Sequence, residues 1–132
     1  MKEKILIVED NPQNMTLIQI ILRDKSYTLL KAIDGEEALD VAVREQPDLI
    51  IMDIQLPKLS GLEVTRRLRQ LPAFRRVPIV ALTAYAMKGD KERFIAAGCD
   101  AYLSKPISTR ELPKMIARML QQRRKAVATS KR

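Results

Sequence analysis

In four places this 132-residue chain sets a polar, chemically capable group straight after a short apolar run. Glu9-Asp10 follow Ile5-Leu6-Ile7-Val8, and Asp53 follows Leu49-Ile50-Ile51-Met52. Thr83 closes Pro78-Ile79-Val80-Ala81-Leu82, and Lys105-Pro106 follow Ala101-Tyr102-Leu103-Ser104. An ionised carboxylate beside a core is costly unless something pairs with it. Asp53 therefore either caps a turn or belongs to a site. Taken singly, the others have plain readings too. Glu9-Asp10 reads as a helix-capping acid pair, Thr83 as a strand-end hydroxyl and Lys105 as a solvated lysine.

Taken together they make a chemistry. Clustered carboxylates repel one another, and a hard divalent cation relieves that repulsion. Mg2+, with Mn2+ as an alternative, takes oxygen ligands and keeps several waters. Asp10 and Asp53 are the expected direct ligands, with Glu9 beside them or acting through water. The backbone carbonyl of Gln55, just past Asp53, offers a further oxygen. Lys105 is a point charge suited to a phosphoryl group, and Thr83 can donate a hydroxyl hydrogen bond to it. Asp53 is then the nucleophile, since aspartyl carboxylates form covalent phosphoryl intermediates. Catalysis would consist of positioning and charge neutralisation.

The chain must fold so that these groups meet. An apolar run of strand length bounded by polar residues reads as a strand buried on both faces. Five such runs are expected, near Ile5–Val8, Tyr27–Ala32, Ile50–Asp53, Pro78–Thr83 and Ala101–Ser104. Helical spacing fills the intervals: Met15, Ile18, Ile21 and Leu22 after an Asn11-Pro12 start, then 37–43. Next come Leu62, Val64, Leu68 and Leu71, closed by Pro72, then Lys88 to Ala97, ended by Gly98. A last helix follows the Ser108/Glu111 capping pattern, where Pro113 fits poorly. Strands alternating with helices predict an α/β fold, a five-stranded parallel sheet covered on both faces by right-handed crossovers. All strand ends then share one edge, where open α/β sheets bind ligands.

Composition removes several alternatives. Histidine is absent, which excludes His-based metal sites, Ser-His triads and Cys-His pairs. The single cysteine, Cys99, cannot form an intrachain disulfide, and a buried packing role is expected for it. No apolar run nears the roughly 20 residues of a membrane span, and Glu9-Asp10 cut short the early apolar stretch, so no signal peptide is expected. A cytoplasmic protein is the default. The net charge of +8 is concentrated late: from Arg110 onward eight Lys/Arg stand against one Glu. Residues 1–122 are expected to form one domain, and 123–132 a frayed basic tail. Arg123-Arg124-Lys125 and Lys131-Arg132 invite a nucleic-acid reading, but no aromatic interleaves with them, and a solvated tail is the better expectation.

The set Ile7-Val8-Glu9-Asp10-Asn11, Met52-Asp53-Ile54-Gln55-Leu56-Pro57, Leu82-Thr83-Ala84 and Lys105-Pro106 resembles the receiver domain of bacterial two-component response regulators, of the CheY-like superfamily. The resemblance covers about Lys4 to Leu120. The wording around Asp53 and Thr83-Ala84-Tyr85-Ala86-Met87-Lys88-Gly89-Asp90 is similar to single-domain DivK-type regulators and to receiver modules of hybrid kinases.

The resemblance implies strand order 2-1-3-4-5 and a cis Lys105-Pro106 bond. It implies a sensor histidine kinase or histidine phosphotransfer protein as phosphoryl donor to Asp53, with Glu9 and Asp10 in the Mg2+ site and Thr83 and Lys105 on the phosphoryl oxygens. Thr83 and Tyr102 form the switch. Gln55 and Tyr85 influence water access and hydrolysis. Output passes to a downstream protein target through the fourth helix, fifth strand and fifth helix, with the chain a monomer or a weak phosphorylation-dependent dimer, and no membrane or nucleic acid involved. Two other functions compete. A haloacid-dehalogenase-like phosphatase would want an Asp two positions after Asp53, where Gln55 stands, so only slow self-dephosphorylation is expected. A constitutive scaffold would have no need of Asp53 or Lys105.

Overall fold

Each of the five apolar runs is a strand. The computed structural model describes residues 2–23, 26–84 and 89–130, the last four for backbone only. The strands are β1 (Glu3–Val8), β2 (Tyr27–Ala32), β3 (Leu49–Asp53), β4 (Ile79–Thr83) and β5 (Ala101–Ser104). The helices are α1 (Pro12–Leu22), α2 (Gly35–Glu45), α3 (Gly61–Arg69), α4 (Asp90–Ala97) and α5 (Glu111–Ser130). The sheet is parallel throughout, in the order β2-β1-β3-β4-β5. This is the flavodoxin-like (βα)5 arrangement expected from the sequence. Among the described residues no helix is long and apolar enough to cross a membrane.

Strand alternation divides the core in two. Leu6, Val8, Ile50, Met52, Ile79 and Ala81 face α2, α3 and α4. Ile5, Ile7, Leu49, Ile51, Val80 and Leu82 face α1 and α5. Every residue of β3 and β4 is buried, which is why both runs are apolar without alternation. The edge strands β2 and β5 are half-exposed and more mixed.

Local signals set the helix ends. Asn11 accepts the Asn14 N–H at 3.0 Å, Asp34 the Glu37 N–H at 2.8 Å and Ser60 the Glu63 N–H at 3.2 Å. Ser108 Oγ accepts from Glu111 N–H at 3.0 Å. Pro113 is the third residue of α5, in the first turn, where a missing N–H costs least. The third helix stops at Arg69, sooner than expected, and Pro72–Phe74 form a separate 3-10 turn. The fourth begins at Asp90 after Gly89, and Lys88 lies outside the described residues.

One expectation is corrected. Residues 123–130 are not a frayed tail but the continuation of α5. Arg123 pairs with Asp48 at 2.8 Å and Arg124 with Glu3, so the basic residues meet acids at the entry of β1 and β3. Gln121 to Ala126 are also good helix formers. Lys131 and Arg132 lie outside the described residues.

A third arginine holds the same end of the sheet. Arg69, at the end of α3, donates to the Gly98 carbonyl at 2.9 Å, the Val77 carbonyl at 2.7 Å and the Phe74 carbonyl, and pairs with Asp100 at 2.8 Å. Asp100 also accepts the Ile79 N–H at 2.8 Å. Gly98 has φ +112°, and a Cβ there would lie 2.7 Å from the Arg69 side chain. One guanidinium thus joins α3, the 3-10 turn, the segment leading into β4 and the α4–β5 turn. Charged hydrogen bonds of this kind contribute roughly 1.5–3 kcal/mol. We expect Arg69→Ala to lower unfolding free energy by about 2 kcal/mol or more. Urea denaturation checks this, and a loss below about 0.5 kcal/mol would show the clamp to be idle.

Candidate functional site

Parallel strands deliver the polar groups to one edge, and short backbone bonds fix their height. Glu9 is the residue after β1, and its N–H donates to the Ala32 carbonyl at 3.0 Å. Asp53 is the last residue of β3, and the next N–H, of Ile54, donates to Leu82 O at 3.0 Å. Lys105 follows β5, and its N–H donates to Thr83 O at 2.7 Å. The Lys105-Pro106 bond is cis.

The side chains converge. Lys105 Nζ lies 2.9 Å from Glu9 Oε1 and 3.2 Å from Asp53 Oδ2. Asp53 Oδ1 accepts the Gln55 N–H at 3.0 Å, and Glu9 Oε2 accepts the Asn11 N–H at 3.1 Å. Glu9 is fully buried, Asp53 and Thr83 nearly so, and Asp10 is exposed. Glu9 Oε1 meets the ammonium as an ion pair but has no aligned hydrogen bond. One oxygen each from Glu9, Asp10 and Asp53 lies within 4.8 Å of the others.

The electrostatics follow from burial and crowding. Burial is the main cause that pushes the Asp53 carboxyl up to about 7. The Gln55 N–H opposes this, the neighbouring Glu9 adds to it, and Lys105 offsets part. Burial alone would lower Lys105, but its bonds and charge pairing with Glu9 and Asp53 outweigh that and raise it. The pocket thus holds more negative charge than one ammonium neutralises. A cluster of carboxylate oxygens with that surplus suits a hard cation of the Mg2+ type.

Glu9, Asp10, Asp53 and Lys105 are brought together, and Thr83 is fixed beside them through the Lys105 backbone. Gln55 is exposed next to Asp53. Tyr102 is half-buried, its ring edge-on to Phe94 of α4 with centroids 5.8 Å apart. Tyr85 lies outside the described residues.

The sequence pattern alone gives Gly61 no role. Its N–H donates to Ile54 O at 3.0 Å, and a Cβ on it would lie 2.2 Å from the Asp53 carbonyl oxygen. Only glycine lets α3 start hard against the Asp53 loop. Lys58, at φ +68°, spans from the same loop to Asp34 at 3.5 Å. The available signal was a glycine directly after a helix-capping serine.

The family model described as response regulator receiver domain matches residues 5–117. The polar-differentiation response regulator DivK of Brucella anthropi is 50% identical over 108 residues, which cover 82% of this chain and 88% of that protein. The receiver domain of a Pseudomonas aeruginosa sensor histidine kinase, with a magnesium ion coordinated in its active site cleft, is 42% identical. It covers 92% of this chain and 99% of its own, with a TM-score of 0.84. Vibrio cholerae chemotaxis protein CheY4 is 29% identical over 90% of this chain and 99% of its own, at TM-score 0.85.

The raised Asp53 carboxyl has a measurable cost. Without metal the folded protein holds that proton up to about pH 7, while the unfolded chain releases it near 4. Between those values the folded state binds more protons, so stability from this group falls as pH rises. Asp53→Asn is therefore expected to be more stable than wild type in EDTA at pH 8, by about 1–3 kcal/mol. The gap should grow from pH 4 to 7, stay level above, and shrink when Mg2+ is added. Thermal melts across that range check it; an Asn variant equal to or weaker than wild type at pH 8 contradicts the assigned strain.

Proposed function

This chain belongs to the response regulator receiver domain family of signalling proteins, and from that premise we propose that Asp53 accepts a phosphoryl group from a phosphohistidine. The donor is a sensor histidine kinase or a histidine phosphotransfer protein. The observation that carries the reading is one arrangement: a buried carboxylate with an ammonium at 3.2 Å and two further acids within ligand reach.

Glu9, Asp10, Asp53 and the Gln55 carbonyl would hold Mg2+, or Mn2+ with the same preference for oxygen. When bound, the cation supplies charge neutralisation on the phosphoryl oxygens. The magnesium in the related Pseudomonas receiver supports this assignment. Asp53 attacks phosphorus through a carboxylate oxygen. The P–N bond to the donor imidazole breaks, and the leaving nitrogen keeps the electron pair. Lys105 contacts the transferred group with its ammonium, and the Thr83 hydroxyl donates to another of its oxygens. Gln55 and Tyr85 limit how water reaches the acyl phosphate, so the chain catalyses only its own phosphorylation and a slow hydrolysis.

Phosphorylation adds about 1.5 to 2 negative charges at a buried point. Thr83 is drawn toward them, and Tyr102 moves inward from its place beside Phe94. The surface of α4, β5 and α5 then prefers a different protein partner, or a second copy of the chain in a weak dimer.

The test is labelling with acetyl phosphate and Mg2+. Wild type should gain up to one hydroxylamine-labile phosphoryl group per chain, EDTA should suppress it and Asp53→Asn should show none. Full labelling of the Asn variant would place the nucleophile elsewhere.

A further inference from the structure

The junction between β2 and α2 touches both sides of the acid pocket, yet none of its residues belongs to the pocket. On one side the Ala32 carbonyl accepts the Glu9 N–H at 3.0 Å. On the other, Gly35 lies buried against the loop that follows Asp53. A Cβ on Gly35 would stand 2.4 Å from the Leu59 carbonyl oxygen and 2.7 Å from the Leu59 Cβ. Gly61 presses the same loop from its far end, so two glycines set its height. Lys58, between them, is held at φ +68°, with the Leu59 N–H donating back to the Pro57 carbonyl at 2.7 Å. A turn of that form is strained for a residue with a side chain and persists only where its surroundings hold it. The Lys58 ammonium supplies a hold: it reaches Asp34 at 3.5 Å and Glu36 at 4.0 Å, both at the start of α2. Asp34 is itself fixed, since its other oxygen caps the helix by accepting the Glu37 N–H at 2.8 Å.

We propose that Gly35, Asp34 and Lys58 are positioning residues for the cation site. By fixing the loop that carries the Gln55 carbonyl, they make the pocket select Mg2+ over Ca2+. The inference rests on the proposed function, which places the cation among Glu9, Asp10, Asp53 and that carbonyl. Asp53 is held by β3 itself, but Gln55 stands two residues beyond the strand, so its place depends on what holds the loop. Mg2+ demands near-octahedral geometry at about 2.0–2.1 Å, whereas Ca2+ accepts irregular ligand sets at about 2.3–2.6 Å. A loop free to drift therefore costs Mg2+ binding more than Ca2+ binding. Charge alone predicts the reverse for Lys58. An ammonium near an acid pocket repels any cation, and its removal would tighten both. The Asp34–Lys58 pair is exposed on the lysine side, which limits its effect to roughly two- to fivefold in affinity. The Gly35 contact is steric and has the larger effect.

Isothermal titration of the full chain with MgCl2 and with CaCl2 tests it, alongside amide exchange in EDTA. Lys58→Met should weaken Mg2+ binding roughly two- to fivefold and Ca2+ binding by less. Asp34→Asn, which keeps a helix cap, should do the same. The two together should do no more than either alone, as one shared contact requires. Lys58→Arg should bind Mg2+ as wild type does, and Gly35→Ala should lose about tenfold or more. Without metal, the Ile54 and Gly61 N–H groups, which bond to Leu82 and Ile54, should exchange faster in Lys58→Met. The Lys105 N–H should keep its wild-type protection there. The inference is overturned if Lys58→Met binds Mg2+ as tightly as wild type or more tightly, or if Mg2+ and Ca2+ weaken equally. Unchanged exchange at Ile54 and Gly61 overturns it too. Asp10→Ala separates the two readings. Mg2+ binding that survives in it puts the cation elsewhere and removes the proposed function as well. Binding lost in Asp10→Ala but kept in full by Lys58→Met removes this inference alone.

Discussion

A single ammonium lies between two buried carboxylates, and the structure is arranged around that meeting. Lys105 stands 2.9 Å from Glu9 and 3.2 Å from Asp53, where one acid alone would be expensive and two adjacent ones more so. The lysine offsets one charge, not both, and burial first, with the neighbouring Glu9 adding to it, keeps the Asp53 carboxyl raised. Four strand ends must stay in register to maintain this balance. Backbone bonds from Glu9 to Ala32, Ile54 to Leu82 and Lys105 to Thr83 keep them there. The glycine under the Asp53 loop closes the remaining space.

Much of this was legible in the sequence because parallel sheets translate position into place. A polar residue after an apolar run becomes a polar residue at one shared edge, so Glu9, Asp10, Asp53, Thr83 and Lys105 could be grouped without coordinates. Strand order could not be obtained that way; it came with the family likeness. The depth of Glu9 was also hidden, since nothing local distinguishes a fully buried acid from the exposed Asp10 beside it. Gly61 was missed because close approach depends on a neighbour eight positions away in sequence and not on its own surroundings. The helical state of residues 123–130 was missed for a similar reason. The acids that hold Arg123 and Arg124 are 75 and 121 positions distant.

The two ends of the sheet differ in kind. At the strand exits, acids are buried, crowded and partly compensated. At the strand entries, arginines either tie elements together, as Arg69 does, or stand open to solvent, as Arg76 and Arg118 do. The net charge of +8 therefore describes no single surface. It is the sum of a small acidic interior and a large basic exterior, which do not cancel locally because a strand length separates them.

The contact between Arg124 and Glu3 draws the late helix onto the first strand. An exposed pair of this type is worth little by itself, yet its closure spans nearly the entire polypeptide. Loops of that size are the last to form when a chain assembles, because the entropy of joining distant segments must be met by contacts made beforehand. The final turns of α5 thus report on completed assembly: amide protons there should be the slowest to gain protection during refolding and the quickest to exchange afterwards.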